Sequence, residues 1–132
     1  MQVEQKNKER IIAYIDGFNL YFGIMEASFD HCRWLNVKKL IESLLHPHQE
    51  LIEVKYFTSR VRNSPDKQKR QSTYIDAIES TGVKVYYGNY QENIEECNRC
   101  GHQWRSAKEK MTDVNIATAI IVDAYKNKYD TA

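Results

Sequence analysis

Three observations predict an α/β fold built on a parallel sheet flanked by helices. The first is a run of apolar residues, Ile11, Ile12, Ala13, Tyr14 and Ile15, with no polar alternation, which is the pattern of a strand covered on both faces. The second is the order of the segments after it. They read strand, helix, strand, helix, strand, helix, a βαβ series of the kind that builds parallel sheets. The third is the abrupt end of the first run in Asp16, Gly17 and, two residues on, Asn19. In open α/β sheets ligands bind beyond the carboxyl ends of the strands, so a carboxylate there is placed to hold a cation. Asp and Asn equally suit a helix cap or a turn at that point.

Taken in order, Gly17 is read as the sharp turn that ends the first strand. Phe18, Tyr21, Phe22 and Met25 then recur at helical spacing over residues 18–27, a short helix packed on the sheet. Residues 28–35 form an irregular link carrying His31, Cys32 and Trp34. Asn36 caps a second helix with Val37, Leu40, Ile41, Leu44 and Leu45 on its apolar face, and Pro47 forces it to stop. Residues 51–61 are rich in β-branched and aromatic side chains and read as the second strand. Ser64 and Pro65 open a third helix that runs to about Ser80, turns Tyr74, Ile75 and Ile78 inward, and ends at Gly82. Residues 83–90 make a third strand. A polar loop follows over about residues 91–108, and a last helix is expected over residues 112–126, with Thr112 as its cap and Val114, Ile116, Ala117, Ile120, Ile121 and Ala124 inward.

The 132 residues suit one domain with a real core. A 28% charged and 42% hydrophobic composition is ordinary for a globular protein, and no apolar run approaches a membrane span. The first nine residues are polar, without the apolar stretch of a secretory signal, and three cysteines, an odd number, argue against a disulfide scaffold. The expected setting is the cytoplasm, with no membrane partner. A net charge of +1 excludes a globally basic nucleic-acid binder. Its distribution is uneven, however. Lys55, Arg60, Arg62, Lys67, Lys69 and Arg70 face the one acid Asp66, and Arg99, Arg105, Lys108 and Lys110 have only Glu109 among them. The two runs form either a phosphate-binding face or an ordinary solvated surface. Tyr86, Tyr87 and Tyr90 suit either base stacking or the core.

Cys97 and Cys100 followed by Gly101 have the spacing of a zinc knuckle, in which the glycine permits a tight turn that aims two thiolates at one metal. Only half a site is visible. His102, His31 and Cys32 or a second chain are the candidates to complete it, and two reduced thiols in a loop are the alternative. No P-loop and no G-x-G-x-x-G is present, so no nucleotide cofactor is expected.

Residues 14–21, Tyr-Ile-Asp-Gly-Phe-Asn-Leu-Tyr, resemble the opening strand and turn of NYN domains, relatives of the PIN-like nucleases. Residues 109–117, Glu-Lys-Met-Thr-Asp-Val-Asn-Ile-Ala, resemble their second signature, in the same order along the chain. The resemblance implies a three-layer Rossmann-like (PIN-like) fold and RNA hydrolysis with Mg²⁺ or Mn²⁺, with Asp16, Asn19 and Asp113 as catalytic residues. Asp16 and Asp113 would hold the metal, and Arg60, Arg62 and Lys110 would bind RNA. Two carboxylates and an amide are a suitable donor set for such a hard cation. Asp123 lies about 15 Å along a helix from Asp113 and is read as peripheral. The resemblance also implies a further strand with a Ser-Gly-Asp-x-Asp type motif after Tyr129–Ala132, so the chain is expected to be one strand short, weakly active and prone to homo-oligomerise. The alternatives are a non-catalytic RNA-binding or protein-interaction module on the same fold, and a hydrolase of small phosphate esters.

Overall fold

The computed structural model describes residues 7–62 and 64–132, and the side chains of these except residues 89–93 and 107–110. Strands β1 (Glu9–Asp16), β2 (Gln49–Ser59), β3 (Lys84–Glu96) and β4 (Gln103–Lys110) are hydrogen-bonded in that spatial order. The first three are parallel, and β4 returns antiparallel along the outer part of β3. Helices α1 (Gly17–Glu26), α2 (Val37–Leu44), α3 (Pro65–Glu79) and α4 (Thr112–Tyr125) flank the sheet, with a 3₁₀ turn at Asp30–Cys32.

Alternation along β2 explains how helices come to lie against the sheet. Val54 and Tyr56 pack with Val37 of α2, Ile78 of α3 and Val83, and Ala13, Ile15, Leu20, Tyr74 and Val85 close around them. Lys55, between Val54 and Tyr56, points the other way and meets Asp123 of α4. Ile12 and Val37 are wholly buried, each contributing about 1.5–3 kcal/mol of hydrophobic transfer energy. Expected caps and stops hold at two points. Asn36 Oδ1 accepts from the Lys39 amide at 3.0 Å, and Gly82 takes a φ of +93° that other residues adopt at a cost.

Four details depart from the sequence reading. Gly17 is not a left-handed turn residue. It starts α1, and a Cβ there would meet the Tyr56 ring at 2.6 Å, so close approach is what requires glycine. The cap of α4 is Met111, with φ +74°, and Thr112 is its first helical residue, buried at 4% exposure; the left-handed step reverses the chain between β4 and the helix. The segment 91–108 is mostly not loop. Glu96 pairs with Gln103, and the ladder continues to Asn89 against Lys110. Its backbone groups satisfy one another whatever the side chains, which is why a polar sequence concealed it. Finally, Lys55 is only 6% exposed and contributes nothing to a basic face.

The carboxyl-terminal residues return to the sheet. Thr131 forms a parallel bridge with Ile11 on the side of β1 away from β2, and Arg10 fixes the approach. Its guanidinium donates to Asp130 Oδ1 at 3.0 Å and Oδ2 at 3.2 Å and to the Asn127 carbonyl at 2.9 Å, while its backbone amide donates to Asp130 Oδ2 at 2.7 Å. Among the described residues no helix is long and apolar enough to cross a membrane.

Candidate metal centre

Asp16 is the last residue of β1 and the N-cap of α1. The strand places it at the carboxyl edge, and the helix start holds its side chain still. Oδ1 accepts from the Asn19 amide at 3.1 Å and Oδ2 from Asn19 Nδ2 at 2.9 Å. Each oxygen keeps a lone pair. Because Nδ2 is turned to Asp16, the Asn19 carbonyl oxygen is free to face outward. Asp16 and Asn19 therefore form one prearranged oxygen group, and the cap reading and the ligand reading are compatible.

Asp113 lies in the first turn of α4 and is exposed. The link between α4 and the sheet gives its level. Tyr14 Oη donates to Asp123 Oδ2 at 2.7 Å, so Asp123 lies over the Tyr14 row. Going back up the helix, Asp113 is about 15 Å nearer the carboxyl edge, while Asp16, two residues along β1, is about 7 Å nearer. Both acids thus lie toward the carboxyl edge, at levels about 8 Å apart on these spacings. Among the described residues no group of three His, Cys, Asp or Glu able to hold a metal is formed. The donor set at this edge is two carboxylates and an amide, all oxygen, which fits Mg²⁺ or Mn²⁺.

The same edge receives the end of β2. Ser59 is fully buried, and Gln71 of α3 ties the exit down, donating to the Ser59 carbonyl at 2.7 Å and accepting from the Val61 amide at 2.9 Å. Arg60 leaves this anchored point with its guanidinium 4.7 Å from the Tyr87 ring centre. Arg62 is exposed two residues on. Lys110 ends β4 beside Asn89, and its side chain lies outside the described ones, as does that of Tyr90. Tyr86 and Tyr87 are half-exposed, and Tyr86 stacks on Phe57 at 5.2 Å.

Asp123 has a role that the sequence did not reveal. Lys55 Nζ lies 2.5 Å and Tyr14 Oη 2.7 Å from its Oδ2, and Lys128 Nζ is 3.5 Å from Oδ1. Burial pushes this carboxyl up, but the Lys55 and Tyr14 hydrogen bonds and the Lys55 and Lys128 charges outweigh it and hold Asp123 below the usual carboxylate range. Burial, then the Asp123 hydrogen bond, drives the Tyr14 hydroxyl well above its ordinary value, so it remains a donor. Lys55 also sits 4.0 Å from Glu53, which holds Lys84 at 2.6 Å. This is an internal charge lattice joining α4 to the sheet. It is separate from the edge, as expected of a peripheral acid.

Cys97 and Cys100 are far from that edge, at the turn of the β3–β4 hairpin. The Cys97 amide donates to the His102 carbonyl at 2.8 Å, the Gly101 amide donates to the Cys97 carbonyl at 2.9 Å, and Gly101 takes φ +71°. The Arg99 amide, then the Cys100 amide and thiol, hydrogen-bond to the Cys97 sulfur and hold its thiol below the usual range. The sequence candidates to complete the site are not assembled there. His102 stacks on Trp104 at 6.2 Å, and Cys32 lies in the 3₁₀ turn after α1.

The family model for the NYN domain matches residues 10–132, nearly the whole chain. No curated protein and no solved structure matches it.

Proposed function

The chain belongs to the NYN domain family, a group of PIN-like nuclease relatives, and on that premise we propose that it is a ribonuclease-type domain of three-layer PIN-like architecture that hydrolyses RNA phosphodiester bonds with Mg²⁺ or Mn²⁺ held by Asp16, Asn19 and Asp113. The observation that carries the reading is the placement of Asp16 and Asp113. Both lie at the carboxyl edge, and among the described residues neither has a cationic partner, whereas the buried Asp123 is saturated by lysines. Bound there, the metal supplies a nucleophilic water and stabilises charge on the phosphoryl oxygens.

The chain's own residues do the rest. Asn19 fixes the orientation of the Asp16 carboxylate through two hydrogen bonds, so little reorganisation is needed when a cation arrives. Arg60, steadied by the Tyr87 ring and by the Gln71 brace below it, presents a guanidinium to backbone phosphate. Arg62 extends that cationic border, Lys110 is the third residue assigned to phosphate in this reading, and the half-exposed faces of Tyr86 and Tyr87 suit stacking of unpaired bases.

The test is a manganese titration followed calorimetrically, run beside cleavage of a single-stranded RNA, on the wild type, Asp16→Asn and Asp113→Asn. Metal-dependent cleavage lost in both variants, with their unfolding midpoints kept, is the expected result. Unchanged manganese affinity in both variants refutes the site, and RNA binding without turnover at saturating metal points to the non-catalytic module.

A further inference from the structure

We propose that the tip of the β3–β4 hairpin is one half of a tetrahedral zinc site, completed by Cys97 and Cys100 of a second copy of this chain. The inference is independent of the ribonuclease reading and involves a different part of the molecule. Three observations carry it.

The first is the turn itself. Two cysteines three residues apart are closed by a glycine at φ +71°, and the Cys97 sulfur accepts from the amides of Arg99 and Cys100. The Cys100 thiol reaches the same sulfur, so the two thiols stand side by side before any metal arrives, which lowers the ordering cost of the first two ligands.

The second is the count of ligands. Tetrahedral structural zinc takes four protein ligands. Among the described residues no third His, Cys, Asp or Glu joins Cys97 and Cys100 in a group able to hold a metal. His102 stacks on Trp104 and Glu96 accepts from Gln103 at 3.5 Å, and neither joins such a group. A second tip supplies two more thiolates of the right softness, from a turn already in the right shape.

The third is the reach and surface of the arm. Pairing of β3 with β2 stops at Gly88, and from Asn89 to Glu96 the strand pairs only with β4. Eight residues of strand extend about 25 Å past the parallel sheet, so two tips can meet without the domain bodies colliding. Ile94, 71% exposed, gives one face of this polar arm apolar surface that the described part of the chain leaves open, while Trp104 pairs with Glu95 and lies on the opposite face. A second arm is the occupant proposed for the Ile94 face, because it brings the missing ligands and an apolar side chain together.

The experiment is zinc analysis and light-scattering mass on the chain purified under reducing conditions without chelator, with Cys97→Ser and Cys100→Ser alongside. The tip is exposed and distant from the core, so the serine variants keep their fold, verified by circular dichroism. The expected result is about one zinc per two chains in a dimer. Chelator converts it to a zinc-free monomer, added zinc chloride restores it, and each serine variant is a zinc-free monomer throughout. One zinc per chain in a monomer, a dimer that survives chelation, or undiminished zinc in Cys97→Ser overturns the proposal. A cobalt-substituted sample adds a second readout. Four-thiolate charge-transfer absorption is expected, and a spectrum of two sulfur ligands per cobalt overturns it.

Discussion

The carboxylates at the carboxyl edge of the sheet and those at its other levels are treated in opposite ways. At mid-sheet Asp123 is buried, takes hydrogen bonds from Lys55 and Tyr14, and has Lys128 beside it; at the amino edge Asp130 is clasped by the Arg10 guanidinium and backbone amide. At the carboxyl edge Asp16 is met, among the described residues, by the neutral amide groups of Asn19, and Asp113 stands exposed in the first turn of α4. An acid with its cation built in is structural. An acid positioned but left without one is available to a cation from outside, and the helix N-termini beside Asp16 and Asp113 do not use up their lone pairs.

The largest effect that tests this contrast is on stability. Asp123→Ala leaves Lys55 buried at 6% exposure without its partner, and breaking a buried pair from one side costs about 3–5 kcal/mol. Urea unfolding should show it. The double variant Lys55→Met with Asp123→Leu removes both charges and should recover most of the loss; equal instability in the double variant would show that packing of α4, not charge compensation, is at stake. At the carboxyl edge the order reverses. Asp16→Asn keeps a good N-cap and should leave stability nearly unchanged, while manganese affinity falls more than about 100-fold, since even groups that only orient a ligand cost about 10- to 100-fold. Held as a ligand, Asn19 should make Asn19→Ala lose as much affinity as Asp16→Asn; a loss confined to about 10- to 100-fold would show that it only orients Asp16.

What could be read in the sequence follows the range of the interactions. The apolar run of β1, the Asn36 cap, Pro65 at the start of α3 and the Gly82 stop depend on neighbours within a few residues, and each stands where the sequence places it. Asp16 and Asn19 are likewise three residues apart, so their partnership was legible. Lys55 and Asp123 are 68 residues apart and Arg10 and Asp130 are 120 apart. Nothing local marks such pairs, and a lysine in a basic run looks the same whether it faces solvent or an internal acid. The reason for Gly17 was hidden in the same way, because it lies in the Tyr56 ring on another strand. The hairpin was missed for a different cause. Strand pattern in sequence is a burial pattern, and an arm with solvent on both sides carries none.

The smallest expected effect sharpens the amino-edge half of the comparison. The Arg10 guanidinium, then its backbone amide, hydrogen-bond Asp130 and hold its carboxyl below the usual range, so the folded state binds this proton less readily than the unfolded chain. A carboxyl lowered on folding stabilises at pH values above its unfolded value, about 3.9, and that contribution fades as pH falls through the lower folded value. Asp130→Asn should therefore lower the thermal midpoint slightly at pH 7, and the gap from wild type should narrow below about pH 4 and close in stronger acid. Because the clasp is exposed, raising the salt at pH 7 should shrink the same gap. A gap that ignores both pH and salt would mean that Asp130 acts by shaping the backbone turn that returns Thr131 to Ile11, and the amino edge would then hold its acid for geometry and not for charge.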